Sequence, residues 1–355
     1  MSRVVVALGG NALIRRGEPG STEVQRHNLV EAADALAELA GHGHELVLTH
    51  GNGPQVGFLS IEADAARDIV PPPPLDVLVA ESQGQIGYLL AQALAGRFAS
   101  EWPRPPIAVV LSQTVVDPDD PAFTAPSKPV GPMYDRETAE RLAAEHGWTI
   151  APDNSGWRRV VASPRPLGIV EASSIAALVE AGVLVIASGG GGIPVSRTAT
   201  GALVGVEAVV DKDLAAVTLA LGVHAEALLL LTDVPAVCSG WGTRWPVALS
   251  ELTVDAGDAG VRDGTFAAGS MGPKVAAAAS FVRLTGGYAA IGALGDALAL
   301  LEGRAGTRLI EEAGSGGPSG LSVRPASASS SRHGPGVASG HVVPQSQVES
   351  RPLPR

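Results

Sequence analysis

The sequence predicts an α/β protein built on a mainly parallel sheet with helices covering both faces. Three observations carry that expectation. Apolar runs of strand length alternate with amphipathic helical stretches along most of the 355 residues. Glycine clusters stand directly after several of the strand-like runs, where a parallel sheet turns into its next helix. The composition is 45% hydrophobic but only 4% aromatic, rich in Ala, Val, Leu and Gly, which suits small-residue packing of helices on a sheet.

The elements follow in order. Val4-Val5-Val6-Ala7-Leu8 reads as a buried strand, being apolar throughout and mostly β-branched. A helix over 25–40 places Leu29, Ala33, Leu36, Leu39 and Ala40 on one face, and a second strand follows over 45–49. The pattern continues with a helix over 85–98, a strand over 107–111, a helix over 175–181 and a strand over 183–187. It ends with a helix over 213–221, a strand over 227–232, a helix over 274–284 and a strand over 287–290. Strands that alternate with helices pair in parallel, and such sheets bind ligands beyond the carboxyl ends of their strands.

Two segments depart from the rhythm. Residues 117–166 are rich in Pro, Asp and Gly with one clear helix over 136–146, and are predicted to leave the sheet as a small protruding subdomain. From 313 to 355 the chain is Gly/Ser/Pro-rich, with Ser329-Ser330-Ser331, and is predicted to be a disordered tail.

The formal charge is −11, and the part before the tail is more acidic still, since the tail carries Arg324, Arg332, Arg351 and Arg355 against Glu349. A nucleic-acid binder would show a basic face, so that class is discounted. A single cysteine, Cys238, makes no intrachain disulfide and points to a reducing compartment. Met1-Ser2-Arg3 leads straight into the first strand without room for a signal peptide, and the apolar stretches are shorter than the roughly 20 residues of a membrane span. The expectation is a soluble cytoplasmic protein that binds neither nucleic acid nor membrane.

Lysine is nearly absent. Of 25 basic residues three are lysine, Lys128, Lys212 and Lys274, and each lies beside Gly, Pro or Asp in an unusual string. A compact ammonium on a flexible stem reaches a single phosphoryl oxygen in a tight site where a planar guanidinium does not fit. Retention of three ammonium groups in a chain that otherwise uses arginine points to chemistry on a small polyanion.

The glycine clusters point the same way. They are Gly9-Gly10-Asn11, Gly51-Asn52-Gly53, Gly189 to Gly192, and Gly269 to Gly272. A glycine at a strand end lets backbone N–H groups approach an anion, and a following helix N-terminus adds partial positive charge. One cluster is ordinary turn chemistry; four in one alternating chain favour phosphate handling. Neither common nucleotide fingerprint is present, because no Gly-x-x-x-x-Gly-Lys-Ser/Thr loop occurs and Gly192 is followed by Ile193-Pro194, which cannot open a dinucleotide-binding helix.

Asp211-Lys212-Asp213 lies between apolar runs at an expected strand-to-helix junction. Asp213 is either a plain N-cap or an acid that holds an ammonium in place near a transferring phosphoryl group. Asp233, after a strand, either caps a turn or contacts ribose or magnesium. His42 and His44 flank a turn glycine without further ligands at metal spacing, and His50 orients the adjoining Gly51 loop.

Together these strings resemble the carbamate kinases of the amino acid kinase fold family, over about 4–309. The resemblance rests on Leu8-Gly9-Gly10-Asn11-Ala12-Leu13, His50-Gly51-Asn52-Gly53-Pro54-Gln55-Val56-Gly57, Ser82-Gln83-Gly84-Gln85 and Asp120-Pro121-Ala122-Phe123 running on to Lys128-Pro129-Val130-Gly131. It extends through Arg158-Arg159-Val160-Val161, Gly189 to Val195, Gly205-Val206-Glu207-Ala208-Val209-Val210-Asp211-Lys212-Asp213, and Ala268 to Lys274. Glu81, Asn154-Ser155-Gly156 and the stretch from Cys238 to Trp241 depart from the family pattern.

The resemblance implies a three-layer αβα sandwich with a mainly parallel central sheet and a small protruding subdomain. An N-terminal lobe over about 1–195 would bind carbamate, with the subdomain at about 117–166; a C-terminal lobe over about 196–312 would bind the nucleotide. It implies reversible phosphoryl transfer between ATP and carbamate, giving ADP and carbamoyl phosphate, with Mg2+ carried by the nucleotide rather than by a protein metal site, in a homodimer. Lys128 would replace the lysine that related kinases carry in the first glycine loop. Lys212 would neutralise the transferring phosphoryl group, Asp213 would organise the lysines, and Lys274 would hold the terminal phosphates. Gly9, Gly10, Gly51 and Gly53, with Asn11 and Asn52, would cradle the carbamate end, while Asp233, Met271 and Gly272 would contact the nucleotide. The alternatives are another small-acid kinase of the same fold and a non-catalytic sensor of carbamoyl phosphate or nucleotide.

Overall fold

The strand Arg3–Leu8 runs near the middle of an eight-stranded sheet in the computed structural model, which describes residues 2–15, 17–100, 104–153, 156–243, 245–266 and 271–311. The tail over 313–355, Gly269 and Ser270 of the fourth glycine cluster, and Asn154-Ser155 lie outside the described residues. The strand order is Glu251–Thr253, Thr307–Ile310, Tyr288–Ala293, Ala227–Thr232, Arg3–Leu8, Glu45–His50, Leu184–Ala187 and Ile107–Val110. Every neighbouring pair is parallel except Tyr288–Ala293 with Thr307–Ile310.

The pleat separates two cores. Val5, Ala7, Val47, Val185, Leu228, Leu230 and Ile291 face one side, against Ile175, Val179, Leu219, Ala278 and Phe281 of three helices. Val4, Val6, Leu8, Leu46, Leu48, Ile186, Leu229 and Leu231 face the other, against Leu29, Leu36, Ile86, Leu90 and Leu300. Strands apolar at every position are those buried on both faces, and the result is the expected three-layer arrangement.

The helices form where periodicity and caps agree. Thr22–Gly41 starts at Ser21, whose hydroxyl accepts the Val24 N–H at 3.4 Å, and Arg136–His146 coincides with its prediction. Leu75–Arg97 begins ten residues before the predicted start of 85. Its middle carries Ser82 and Gln83, both buried, which interrupt the apolar period because they bond to neighbouring loops. Gly53–Ala65 was not predicted, since Gly-Asn-Gly-Pro reads as a turn. Pro54 suits the first turn of a helix, and Gly57 is needed there, because a Cβ on it would lie 2.1 Å from Gly131 Cα.

Outside the central sheet, Lys128–Tyr134, Gly156–Val161 and Thr149–Asp153 form a three-stranded antiparallel sheet with the helix Arg136–His146. Leu203–Gly205, Ile193–Arg197, Gln113–Val116 and Pro166–Ile169 form a four-stranded one. Gly189 to Gly192 make a tight turn into the strand Ile193–Arg197 rather than a helix, as the Ile-Pro pair requires. No described helix is long and apolar enough to cross a membrane.

Leu8 pairs with both Leu231 and His50, so three strands reach the sheet's carboxyl edge in register. Arg3–Leu8 is also where the order reverses, with the next strand of the chain on one side and Ala227–Thr232 on the other. That switch point is the place for a ligand.

Candidate active site

The first strand ends in Gly9, whose N–H donates to Leu231 O at 3.0 Å; a Cβ there would meet the same oxygen at 2.9 Å. Gly10-Asn11-Ala12 then make one short helical turn. On the neighbouring strand Gly51 N–H donates to Leu8 O at 3.2 Å, and the helix Gly53–Ala65 begins without a side-chain cap. The expected four-amide cradle therefore divides. Gly9 and Gly51 spend their N–H groups extending the sheet edge, whereas those of Gly10 and Gly53 find no acceptor among the described residues.

Asn52 is buried behind this turn. Its Nδ2 donates to Ser82 Oγ at 2.8 Å, and a Cβ on Gly190 would lie 2.1 Å from that nitrogen. The Asn52 side chain thus ties the Gly51 turn to the helix Leu75–Arg97 and packs against the Gly190 turn, while Asn11 lines the open cavity. His50 sits alongside, its Nδ1 at 3.0 Å from Gly51 O and its ring filling the space over Gly189. Burial pushes its pKa down to about 4, against a smaller opposite effect of the Gly51 carbonyl, so the ring is neutral at physiological pH.

Opposite the glycine turns stands the start of the helix Lys212–Gly222. The capping residue is Asp211, not Asp213: its Oδ1 accepts the N–H groups of Asp213 at 2.9 Å and Leu214 at 3.4 Å. Its Oδ2 accepts Lys128 Nζ at 2.5 Å, across 83 residues of sequence. One carboxylate thus caps the helix and holds the ammonium of a separate sheet. Asp211 was not among the expected site residues, although an Asp just before an apolar helical run is the ordinary N-cap signal. Asp213, inside the first turn, is free to serve the lysines instead. Its Oδ1 takes Lys212 Nζ at 2.9 Å and its Oδ2 takes Lys274 Nζ at 3.0 Å, and it is only 3% exposed.

The electrostatics follow from this sharing. Burial would raise the Asp213 and Asp211 carboxyls, but their lysine neighbours hold both below the usual range. Burial also opposes charge on Lys212, and the carboxylates of Asp213 and Asp211 overcome it, so its pKa rises. Lys274 goes the other way, down to about 8, because burial and the nearby Lys212 outweigh its share of Asp213. Two ammonium groups on one carboxylate are under-neutralised, which is an environment built to accept an anion.

These groups line one cavity of about 720 Å³, with Gly9, Gly10, Asn11, Lys128, Lys212, Lys274 and Asp233 around it. The Lys212 stem lies against the glycine turns, since a Cβ on Gly51 would meet its Cδ at 3.3 Å. Asp233 Oδ1 accepts Thr232 Oγ1 at 3.1 Å and is the lining carboxylate without a lysine partner among the described residues. Met271 opens the helix Met271–Thr285 and lines the cavity, whereas Gly272 is buried within that helix beside it. Val234, Ala236, Cys238, Trp241 and Phe266 form an apolar wall on the remaining side of the cavity. It comes from separate loops, and no periodic signal joins them. No group of three or more His, Cys, Asp or Glu is placed to hold a metal ion among the described residues.

Comparison with known proteins agrees with this geometry. The sequence model of the Amino acid kinase family matches residues 2–291. The chain is 48% identical to a carbamate kinase of Thermococcus kodakarensis over 316 residues, covering 88% of this chain and 100% of the relative. It is 47% identical to one of Escherichia coli over 307 residues, covering 86% and 99%. The solved structure of the Giardia lamblia carbamate kinase bound to AMP-PNP superposes with a TM-score of 0.81 at 42% identity, covering 88% of this chain and 99% of that one.

Proposed function

Because the chain belongs to the amino acid kinase family, and within it to the carbamate kinases, we propose that the three-lysine cavity is where a phosphoryl group passes between ATP and carbamate. The observation that carries this reading is Asp213, one buried carboxylate clamping two ammonium groups at 2.9 and 3.0 Å at the switch point of the sheet.

In the direction of carbamoyl phosphate synthesis, a carbamate oxygen attacks the γ-phosphorus, the bond from phosphorus to the β,γ-bridging oxygen breaks, and ADP leaves with that electron pair. Little covalent chemistry is asked of the protein, which aligns the two oxygens and neutralises the charge that shifts between them. Lys212, held by Asp213, meets the transferring phosphoryl oxygens. Lys274 on the other oxygen of Asp213 takes the terminal phosphates of the nucleotide. Lys128 reaches in from the antiparallel sheet and supplies the charge that the first glycine turn lacks. The Gly10 and Gly53 N–H groups, Asn11 and the N-terminus of the helix Gly53–Ala65 receive the carbamate end; Gly9, Gly51 and Asn52 keep that turn in shape.

Asp233, Met271 and Gly272 belong to the nucleotide side, with Phe266 and Trp241 as apolar wall for the base. Mg2+ would arrive on the nucleotide, offsetting phosphate charge, and Asp233 is the carboxylate suited to meet it. On this reading residues of about 1–195, with the subdomain of 117–166, handle carbamate, and about 196–312 handle nucleotide. We assign the ATP-forming direction, serving arginine or purine catabolism, to a cytoplasmic homodimer.

The test is purified protein with MgADP and carbamoyl phosphate, read as ATP. Sustained ATP formation above the spontaneous breakdown of carbamoyl phosphate is expected; none, from folded protein, would refute the reading.

A further inference from the structure

The string Arg158-Arg159-Val160-Val161 has no role in the chemistry above, yet Arg159 sits at a junction. It lies in the middle strand of the antiparallel sheet, with Val130 as cross-strand neighbour on one side and Ile150 on the other. Val130 is two residues from Lys128. The Arg159 guanidinium leaves this sheet: Nη1 donates to Ser60 Oγ at 2.7 Å, and its carbon stands 5.0 Å from the Trp148 ring centre. Ser60 belongs to the helix Gly53–Ala65, whose first residue is the Gly53 of the carbamate-side turn.

A second tie lies one turn earlier on the same helix, where Gly57 meets Gly131. That contact sets how closely the strand approaches, but two glycines offer no side chain to resist sliding. Apolar contact at the seam is a small cluster of valines and leucines, including Val56, Val130, Val161 and Val209. Arg159 therefore supplies a short directional bond across the seam, beside the longer approach of His146 Nδ1 to Asp64 Oδ1 at 4.0 Å. Burial pushes the Arg159 guanidinium below its usual range, and the nearby carboxylates of Asp64 and Glu207 oppose that shift in part. Glu207, four residues before Asp211, also accepts the Leu75 N–H through its Oε1 at 2.9 Å.

We propose that Arg159 is a positioning residue: through Ser60 and Trp148 it fixes the strand carrying Lys128 against the helix that begins at Gly53. Lys128 then meets Asp211 at the cavity. The claim rests on the assignment of Lys128 to the transfer step. A guanidinium is required because the site uses both a planar face over Trp148 and an edge N–H toward Ser60, which an ammonium cannot supply together.

Arg159→Met should lower kcat for ATP formation on the order of 100-fold, as for a misplaced reacting group, and leave KM for ADP within threefold. In a Lys128→Ala background the same change should cost less than about threefold, since its effect passes through Lys128. A full additional loss there, or a KM for ADP that rises with the fall in kcat, would overturn the proposal as a general structural defect. Ser60→Ala removes only the acceptor and should lower kcat in the same non-additive way; it carries the test should Arg159→Met not fold. Amide hydrogen exchange separates this claim from the functional one. Faster exchange over 128–134 in either variant, with 227–232 unchanged, is expected even from a protein that makes no ATP, and unchanged exchange over 128–134 would contradict the positioning role.

Discussion

At the scale of single residues, the difference between an ammonium and a guanidinium decides the account. Lys128 reaches Asp211 at 2.5 Å with a single point donor, and the planar five-donor head of arginine cannot take that place without displacing the helix cap. Lys128→Arg is expected to lower kcat by about 100-fold with charge unchanged, and steady-state ATP formation measures it. Asp213→Asn leaves two buried ammonium groups facing each other. It should abolish measurable turnover and cost about 3 kcal/mol of stability by chemical denaturation. Lys274, with its pKa near 8 in the free protein, loses its proton as pH rises through that value. Phosphate binding favours the charged form, so nucleotide affinity should weaken as pH rises above about 8, by up to tenfold per unit. Titration calorimetry with ADP across that range checks the sign, since binding at pH 8.5 should be accompanied by proton uptake.

At the scale of elements, close backbone approach and buried polar groups set the turns around the site. Gly57→Ala places a methyl carbon 2.1 Å from Gly131 Cα, backbone against backbone, so the antiparallel sheet must move. Roughly 1–3 kcal/mol of stability should be lost, read as a lower denaturation midpoint. His50, neutral and buried between two glycine turns, has a folded pKa below its unfolded value of about 6.5. Between those values the unfolded chain binds more protons, so stability falls as pH drops from about 6.5 toward 4, by up to about 3 kcal/mol. His50→Gln should flatten that slope. The same polar residues explain what the sequence concealed. The central strands were legible because they are apolar at every position. The helices Gly53–Ala65 and the first half of Leu75–Arg97 were not, because Gly57 meets the strand Lys128–Tyr134 while Ser82 and Gln83 bond to neighbouring loops, none of them joining an amphipathic stripe.

At the scale of the whole molecule, the parallel sheet brings residues far apart in sequence to one edge. The alternation of strands and helices, and the glycines at strand ends, made that edge readable in advance. The three lysines stand out by their rarity, whereas Asp213 reads from the residues alone as either an N-cap or a holder of lysines, and the family resemblance alone points to the second. Asp211 as the partner of Lys128 was not legible, since an 83-residue separation and a separate antiparallel sheet lie between them. Nor was the apolar wall of Val234, Cys238, Trp241 and Phe266, which is assembled from loops. Lys212 is where both sides of the molecule converge, its stem on the Gly51 turn and its Nζ on Asp213. Single-turnover ATP formation from MgADP and carbamoyl phosphate by Lys212→Arg is therefore the most direct test. A rate at least about 100-fold below wild type, with ADP affinity within threefold, is the predicted result; a rate within threefold of wild type would contradict the central role of the ammonium.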